Sequence, residues 1–200
     1  MTIAGNQAQA LDLARVLNYL RTMKRMLVGL LLVILSANPA PAATPSADEV
    51  MTAARKQAAE GKKAIFLHFG ASWCVWCHRL DAFLDRPEVK PVIARYFVPV
   101  KLVVQEQAAN KALENAGADA LLAQLGGPAG LPYFALLDAK GGEISNSKMP
   151  PATAGPAQNI GFPSEPAEVT WFLKKLREAA PGMTDAEARV IEQGLAAKPK

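Results

Sequence analysis

Residues 63–80 read KAIFLHFGASWCVWCHRL and hold both cysteines and both histidines of the 200-residue chain. The first seven residues form a short, mostly apolar stretch that is rich in strand-forming residue types, which predicts a buried β-strand. Residues 70–72 turn the chain, and a helix is predicted from the cysteines to about Leu84. Cys74 and Cys77 are therefore expected where a buried strand passes into a helix.

The motif C-x-x-C-H, residues 74–78, is compatible with disulfide exchange, haem attachment, metal binding or a purely structural disulfide. A disulfide across a four-residue loop stabilises a fold by only about 2 kcal/mol in the chain-entropy relation, against about 3 kcal/mol for fifteen residues. A zinc site would need a second, separately spaced ligand pair, which His68 and His78 do not supply. These considerations favour chemistry at the cysteine pair, with no metal and no diffusible cofactor.

Covalent haem attachment is the strongest alternative to disulfide exchange at this motif. An exported chain with C-x-x-C-H also suits a c-type electron carrier, with Met149 or Met183 as a distal ligand. Against this interpretation, the motif follows a buried strand, and the proline-bearing strand downstream has no role in a haem-binding helix.

The start of a helix is a favourable position for thiol chemistry. Free N–H groups and the helix dipole favour negative charge there, so a Cys74 thiolate is stabilised and its pKa falls below the free value of about 8.5. Cys74 is predicted to be exposed and to react first. Cys77, one turn further and more buried, is predicted to resolve the mixed disulfide and release the substrate.

The strand KAIFLHF and the following GASWCVWC resemble the thioredoxin-like superfamily, in particular its exported branch with the C-terminal thioredoxin-like domain of DsbD-type disulfide reductases. The resemblance continues through WCVWCHRLDAFLDRPEVKPVI, with Trp73 before the first cysteine, and spans about residues 47–176. It implies a thioredoxin-like α/β fold and thiol-disulfide exchange. The segment GLPYFALLDAKGG resembles the family's cis-proline strand, which implies that Pro132 and the backbone of Leu131 lie against the disulfide and align an incoming chain.

Two features depart from the family pattern, one at residue 68 and one at the dipeptide between the cysteines. Thioredoxin carries a buried acid six residues before the first cysteine, where this chain has His68. A buried imidazole can accept a proton from Cys77 near neutral pH, or it can be a core histidine that is simply hydrogen-bonded. Val75 and Trp76 replace thioredoxin's Gly-Pro between the cysteines, so the redox potential does not carry over. Trp76 is expected at the rim of the site, and His78 is expected to face solvent.

The remaining pattern predicts a central mixed β-sheet flanked by helices. Capping boxes are predicted at 46–49 and 184–187. The other predicted elements are a helix to about residue 60, a helical stretch from residue 86, a strand over 96–104, a helical segment over 107–125 with Gly117 as a candidate break, a strand over 131–137, a hairpin turn at 138–142, a return strand over 143–147, an irregular loop over 149–166 and a helix up to residue 181. We interpret residues 46–180 as the thioredoxin-like domain and 183–200 as a C-terminal helix and tail.

Residues 1–42 have the pattern of an export signal. A basic start is followed by the apolar run Met26 to Leu35, and Ala40-Pro-Ala42 fits a small-residue cleavage site. Ten apolar residues are too few for a membrane span, which needs about 20, so no stable span is expected after cleavage. The lead-in before Met23 is unusually long, which makes Met23 a candidate translation start. The predicted destination is the bacterial periplasm.

The rest of the chain carries little net charge. The first 42 residues account for most of the formal net charge of +4, which leaves no electrostatic reason to bind nucleic acid. The predicted function is an exported thiol-disulfide oxidoreductase that acts on protein thiols or disulfides with an upstream redox partner protein. The alternative is a thioredoxin-fold binding or chaperone-like module whose disulfide is incidental. The sequence leaves open whether residues 149–166 are a connector or a partner-docking flap.

Overall fold

The computed structural model describes residues 18–24, 43–127 and 130–197. The chain divides into two units, Met1–Ala43 and Thr44–Lys200. Residues 18–24 of the first unit form a short exposed helix, and the rest of the predicted export signal at residues 1–42 lies outside the described residues. None of the described helices is both long and apolar enough to cross a membrane. The cysteine pair belongs to the second unit.

Four strands form the central sheet of the second unit, in the order β2-β1-β3-β4. Their bounds are β1 (Ala64–Gly70), β2 (Phe97–Val103), β3 (Tyr133–Leu137) and β4 (Glu143–Asn146). Strands β1 and β2 are parallel, whereas β1–β3 and β3–β4 are antiparallel. Every residue of β1 and β3 is buried, because helices cover both faces of the sheet. The predicted mixed sheet flanked by helices is confirmed.

Helices pack on both sides of this sheet. Their bounds are α1 (Ala47–Gly61), α2 (Val75–Leu84), α3 (Lys90–Tyr96), α4 (Ala118–Gln124), α5 (Pro166–Ala179) and α6 (Asp185–Ala196), with a 3₁₀ helix at Ala108–Leu113. Both predicted capping boxes are present. Ser46 accepts a hydrogen bond from the N–H of Glu49, and Thr184 accepts one from the N–H of Glu187.

The sheet separates two hydrophobic layers. On one face, Phe66, Phe134 and Phe172 pack with residues of α2, α3, α5 and α6. The Phe134 and Phe172 rings meet edge to face, with centroids 5.3 Å apart. On the other face, Ile65 and Leu67 pack with α1 and α4. Since alternate residues of a strand point to opposite faces, β1 anchors both layers and holds the turn at its end in place.

Two predicted helices differ from the observed ones. The segment expected to be helical over 107–125 is a 3₁₀ helix followed by α4. Gly117 between them has a φ of +85°, a left-handed conformation that glycine adopts at little cost. The helix expected from residue 86 begins at Lys90, after a turn.

The proline-rich stretch expected to be irregular, residues 149–166, contains some regular structure. Strand β5 (Lys148–Met149) pairs with β6 (Gln158–Asn159) in antiparallel register. Between β6 and the start of α5, the chain has neither helix nor strand.

Candidate active site at the cysteine pair

Cys74 and Cys77 form a disulfide at the N-terminus of α2. Cys74 caps the helix: its backbone is extended, and its Sγ accepts a hydrogen bond from the N–H of Cys77 at 3.1 Å. One of the free N–H groups of the helix start is therefore directed at this sulfur. In the reduced protein the same N–H stabilises a Cys74 thiolate, because a helix N-terminus favours negative charge.

Both cysteines are buried, with relative exposures of 4% for Cys74 and 0% for Cys77. Cys77 is the more buried of the two, as expected, but the expectation that Cys74 is exposed is wrong for the disulfide form. The reason is that Ala71 and Leu131 pack against the two cysteines. Access to the sulfurs therefore depends on Leu131 and its neighbours.

Pro132 stands immediately before β3, beside the cysteine turn. The Leu131–Pro132 peptide bond is cis, as the family resemblance implies, and Pro132 is buried. Phe69 of β1 pairs with Tyr133 of β3, so the two strand ends bring Pro132 next to the turn that follows Gly70. Leu131 thereby reaches the cysteine cluster.

Gly70 provides the space that the disulfide occupies. A Cβ atom at this position would lie 3.1 Å from Cys77 Cβ and 3.2 Å from Cys77 Sγ, tighter than ordinary contacts. The Gly70 carbonyl accepts a hydrogen bond from the N–H of Val104 at 2.9 Å, which fixes the backbone. Any side chain here would push against the disulfide.

The loop after β2 holds the turn that precedes Cys74. The buried carboxylate of Glu106 accepts hydrogen bonds from the N–H of Ser72 and from Ser72 Oγ, the latter at 2.6 Å. The Gln105 carbonyl accepts a hydrogen bond from Trp73 Nε1 at 2.8 Å. Neither residue of this loop was predicted from the sequence. Their position after β2 was the available signal, because carboxyl ends of parallel strands meet at one edge of a sheet.

His68 lies buried in β1 and forms a hydrogen-bonded cluster with two residues that were not predicted from the sequence, Asp81 and Lys101. Its Nε2 is 2.9 Å from Asp81 Oδ1, and Lys101 Nζ donates to Asp81 Oδ2. Asp81 follows Cys77 by four residues on α2, so both side chains lie on one face of the helix. His68 and Lys101 are register partners on β1 and β2. Asp81 could have been found from its spacing to Cys77.

The protonation of this cluster follows from its contacts. Burial alone would raise the pKa of Asp81, but the hydrogen bonds that its carboxylate accepts from His68 and Lys101 outweigh burial and lower the pKa below its ordinary value. An ionised carboxylate only accepts hydrogen bonds, so His68 Nε2 carries the proton that faces Asp81. His68 Nδ1 is buried and has no hydrogen-bond partner within the part of the chain that the structure describes. In the neutral imidazole, Nδ1 then holds a lone pair that can accept a proton.

Two tryptophans form the exposed surface beside the disulfide. Trp73 is 49% exposed and Trp76 is 44% exposed. The Trp76 ring stacks on Phe162 with centroids 6.2 Å apart, and the Arg79 guanidinium lies 4.3 Å from the Trp76 ring centroid. Trp76 therefore lies at the rim of the site, as expected from its position between the cysteines.

The residues of the haem alternative are engaged elsewhere. Both sulfurs are in the disulfide, and the Nε2 of the exposed His78 donates a hydrogen bond to the Ser72 carbonyl at 2.8 Å. Met183 is buried in the hydrophobic layer of Phe66, which is separate from the cysteine cluster, and Met149 lies in β5. Over residues 18–24, 43–127 and 130–197, no group of three His, Cys, Asp or Glu residues is placed to hold a metal ion.

The site has the parts that thiol-disulfide exchange requires. Two sulfurs lie one helical turn apart, and a backbone N–H contacts the first of them. A buried histidine, whose Nδ1 has no hydrogen-bond partner among the described residues, lies on the strand that leads into the cysteine turn. Exposed apolar side chains next to the disulfide offer a contact surface for another polypeptide.

Comparison with known proteins supports the fold. A family model described as thioredoxin-like matches residues 48–139, which include every element from α1 to β3 except the first residue of α1, so the expected thioredoxin-like fold is confirmed. Among solved structures, the chain is similar to a disulphide isomerase from Xylella fastidiosa Temecula1, at 20% identity over 80% of this chain and 97% of that chain, with a TM-score of 0.45. It is also similar to the oxidised DsbD C-terminal domain of Neisseria meningitidis, at 22% identity over 67% and 99% of the two chains and a TM-score of 0.41. The DsbH oxidoreductase is similar at 20% identity over 71% and 93%, with a TM-score of 0.41. No curated protein matches the chain.

Proposed function

We propose that this chain, which is thioredoxin-like over residues 48–139, is an exported thiol-disulfide oxidoreductase that cycles Cys74 and Cys77 between dithiol and disulfide. The observation that carries the proposal is the disulfide at the start of α2, with the Cys77 N–H on the Cys74 sulfur. Its substrates are protein thiols or disulfides, and an upstream redox partner protein exchanges electrons with it. Residues 46–180 form the thioredoxin-like domain of this proposal, and 183–200 its C-terminal helix and tail.

The reaction proceeds in two exchanges. In the reducing direction, the Cys74 thiolate attacks one sulfur of a substrate disulfide, and the second substrate sulfur leaves as a thiolate. Cys77 then loses its proton, and its thiolate attacks Cys74 Sγ. This step re-forms the Cys74–Cys77 bond and releases the first substrate sulfur as a thiolate. Two electrons pass from the protein dithiol to the substrate, and oxidation of a substrate dithiol is the reverse sequence.

His68 is the group that takes the proton from Cys77 in this mechanism. Its Nδ1 is buried and has no hydrogen-bond partner among the described residues. In the neutral imidazole whose Nε2 proton faces Asp81, Nδ1 is the nitrogen that accepts a proton. After proton transfer, the imidazolium is stabilised by the Asp81 carboxylate. Asp81 and Lys101 act as positioning residues, since they keep the imidazole oriented and the carboxylate ionised.

Reduction of insulin by dithiothreitol, followed as B-chain precipitation, tests the activity. The wild-type protein is expected to accelerate precipitation, and Cys74→Ser is expected to be inactive because the attacking sulfur is absent. Cys77→Ser is expected to accumulate a mixed disulfide, since nothing resolves it. A wild-type protein that does not accelerate precipitation would contradict the proposal.

The direction of electron flow requires a separate measurement, that of the reduction potential. Potentials on this fold range from about −270 mV for reductants to about −120 mV for strong oxidants. Equilibration of the cysteine pair against glutathione gives the potential and so assigns the role as reductant or oxidant.

A binding module is the second candidate, and one observation favours it. Trp73, Val75 and Trp76 are 49%, 63% and 44% exposed and form an apolar surface around the buried disulfide, which is typical of protein contact sites. An inactive wild-type protein that suppresses aggregation of an unfolded polypeptide, equally well as Cys74→Ser, would select this function.

Export is tested on the mature protein. Mass spectrometry of a periplasmic fraction is expected to find an N-terminus near Ala43, since Ala40-Pro-Ala42 fits a cleavage site. Peptides from residues 5–20 in the exported protein would contradict cleavage there.

A further inference from the structure

Glu106 is a buried carboxylate that the exchange mechanism above does not use. It belongs to the loop after β2 and is only 7% exposed. Burial of a carboxylate costs free energy unless hydrogen bonds compensate it. A buried charge near a reactive thiol also acts on that thiol, because charges are screened less inside a protein than at its surface.

Both oxygens of Glu106 contact Ser72, two residues before Cys74. The N–H of Ser72 donates to Glu106 Oε1, and Ser72 Oγ donates to Glu106 Oε2 at 2.6 Å. Ser72 Oγ in turn accepts a hydrogen bond from Asn110 Nδ2 at 3.1 Å, which leaves its own proton for Glu106. Because each carboxylate oxygen accepts a hydrogen bond, the contacts fit the ionised form, which has no proton to donate.

The backbone of the loop directs Glu106 at the cysteine turn. Gln105 has a φ of +54°, in the left-handed region that costs free energy for residues other than glycine. This conformation directs the Gln105 carbonyl to Trp73 Nε1. The N–H of Glu106 is held as well, since it donates to Glu114 Oε1 at 2.7 Å. The loop therefore fixes the Glu106 carboxylate in place.

The cysteine turn brings this carboxylate close to the attacking sulfur. Residues 71–74 form a hydrogen-bonded turn, in which the N–H of Cys74 donates to the Ala71 carbonyl at 3.1 Å. The first and last Cα atoms of such a turn lie within about 7 Å of each other, and Glu106 is hydrogen-bonded to the second residue. The carboxylate is therefore within about 10 Å of Cys74 Sγ, which is the Debye length at 0.1 M salt.

The nearest lysine of the loop does not cancel the charge of Glu106. Lys111 Nζ lies 2.8 Å from Glu114 Oε1. The hydrogen bond to Glu114 is the main cause that raises the pKa of Lys111, and Glu106 is the smallest of its causes. Lys111 therefore compensates Glu114, and the charge of Glu106 is left to act on the cysteine turn.

The remaining titratable or charged side chains near the cysteine turn are on α2, β1 and β2, namely His78, Arg79, Asp81, His68 and Lys101. Asp81 and Lys101 form an ion pair, so their charges compensate each other. Arg79 is exposed, and solvent screens its charge. The two imidazoles belong to a residue type that is ordinarily neutral above about pH 7. Glu106 thus contributes an uncompensated buried charge near the turn.

We propose that the Glu106 carboxylate tunes thiol-disulfide exchange, because its fixed negative charge opposes formation of the Cys74 thiolate. A like charge nearby disfavours the charged form of a group. The start of α2 and Glu106 therefore act in opposite directions on the same sulfur. The opposition keeps the thiolate more nucleophilic, since nucleophilicity falls as the pKa of a thiol falls. This inference rests on the exchange activity proposed above and makes Glu106 a positioning residue that regulates it.

Three variants separate the charge of Glu106 from its contacts. Glu106→Gln removes the charge but keeps an amide that can accept from and donate to Ser72. Glu106→Asp keeps the charge on a shorter side chain. Asp119→Asn is the matched control, because it removes the same charge from an exposed position at the start of α4, where solvent screens it.

Alkylation of Cys74 by iodoacetamide is measured against pH in each variant, combined with Cys77→Ser so that one thiol remains. At an effective dielectric constant of about 20–40, a unit charge about 10 Å away shifts the pKa of a thiol by about 0.5–1 unit. Glu106→Gln is therefore expected to lower the midpoint by about 0.5–1 pH unit. Glu106→Asp and Asp119→Asn are expected to keep the reference midpoint. Loss of folding would move the midpoint toward the free thiol value of about 8.5, which is the opposite direction.

Exchange with an uncharged disulfide, bis(2-hydroxyethyl) disulfide, gives a second readout with both cysteines present. The reduced full-length protein converts each substrate molecule to two thiols and becomes oxidised to the Cys74–Cys77 disulfide. At pH 6.5, Glu106→Gln is expected to react about two- to threefold faster, because the gain in thiolate exceeds the loss of nucleophilicity. At pH 9.5, where Cys74 is almost fully thiolate, it is expected to react about twofold slower. A structural defect alone would slow exchange at both pH values.

The outcomes separate this inference from the activity on which it rests. An unchanged alkylation midpoint in Glu106→Gln would overturn the charge effect, and so would an equal shift in Glu106→Asp or in Asp119→Asn. A wild-type protein that does not react with the uncharged disulfide would overturn the exchange activity, whereas the alkylation midpoints would still test Glu106.

Discussion

A backbone N–H on its sulfur distinguishes Cys74 from an ordinary buried cysteine. Burial in apolar surroundings raises the pKa of a thiol, and Cys74 is only 4% exposed. The N-terminus of α2 acts in the opposite direction, because its N–H groups and dipole stabilise the thiolate. Since the Cys77 N–H touches the sulfur directly, we expect the stabilisation to prevail.

Alkylation of Cys74 at controlled pH measures this balance. In the Cys77→Ser variant, where only one thiol remains, half-maximal reactivity toward iodoacetamide is expected at least about half a pH unit below the free thiol value of about 8.5. Glutathione, alkylated under the same conditions, is the control. A midpoint at or above that of glutathione would mean that burial dominates.

The Asp81 carboxylate contacts His68, the group proposed to take the proton of Cys77. Asp81→Asn removes the charge that orients His68, so resolution of the mixed disulfide is expected to slow at low pH. An unassisted thiol with a pKa of about 8.5 is only about 1% thiolate at pH 6.5, so the rate is expected to fall several-fold at pH 6.5 and little at pH 9.5. Stopped-flow release of a peptide thiol at both pH values measures the effect.

Asp85→Asn is the matched control for this pH profile. Asp85 lies one helical turn after Asp81 and caps the C-terminus of α2. Its ion pair with Lys90 is exposed, so the variant is expected to behave like the wild type. His68→Ala is expected to reproduce the Asp81→Asn profile. A loss that is equal at both pH values would indicate a structural role for the cluster.

At the scale of elements, the junction between β1 and α2 decides whether the site forms. The strand ends at Gly70, and the helix begins after a turn that Glu106 and Gln105 hold through Ser72 and Trp73. The parallel pairing of β1 and β2 brings these two loops together. The chemistry of the cysteines therefore depends on a neighbouring strand as well as on their own helix.

Gly70→Ala tests how tightly this junction is packed. The added methyl group would lie 3.1 Å from Cys77 Cβ, and overpacking of this kind typically costs about 1–3 kcal/mol. Denaturant unfolding of the oxidised protein is expected to show this loss in the free energy of unfolding. Gly61→Ala is the matched control, because its methyl group would meet only the flexible Lys63 side chain. Equal stability of the two variants would mean that the junction adjusts without cost.

In the molecule as a whole, the last helix packs in the hydrophobic layer of Phe66, and one acid also links it to α3 through hydrogen bonds. Glu187 of α6 accepts hydrogen bonds from the N–H and hydroxyl of Thr184, from the Tyr96 hydroxyl at 2.8 Å and from Arg95 at 2.7 Å. The Thr184 N–H, the Tyr96 hydroxyl and the Thr184 hydroxyl, in that order, lower the pKa of Glu187 to about 2. These contacts link α6 to the end of α3.

Acid unfolding tests this link. The pKa of Glu187 is lower in the folded state than its ordinary value of 4.5, so its stabilisation is present above pH 4.5 and is lost as the pH falls toward about 2. The melting temperature of the wild type is expected to fall over this interval more steeply than that of Glu187→Gln. Glu192→Gln, an exposed change on the same helix, is the control. Parallel curves for wild type and Glu187→Gln would contradict the link.

The agreement between sequence and structure varies from one part of the chain to another. Local patterns located β1, α2 and both capping boxes, because hydrophobic periodicity and caps involve residues close together in sequence. For residues 107–125 they predicted a helical segment with Gly117 as a candidate break; the break lies at Gly117, but part of the segment before it is a 3₁₀ helix. The burial of Cys74 was also missed, since Leu131 covers it from a distant strand start.

Local sequence patterns were sufficient to locate the cysteine pair between a buried strand and a helix, and family resemblance indicated a thioredoxin-like fold. The distant residues that complete the site became apparent only from the packing of the elements. Glu106 reaches Ser72 across 34 residues, and Asn159 reaches Pro132 across 27. The physical reason is that a local pattern encodes the type of an element and its buried face. A side-chain hydrogen bond between distant residues also requires the fold to bring a donor and an acceptor atom within about 3 Å of each other.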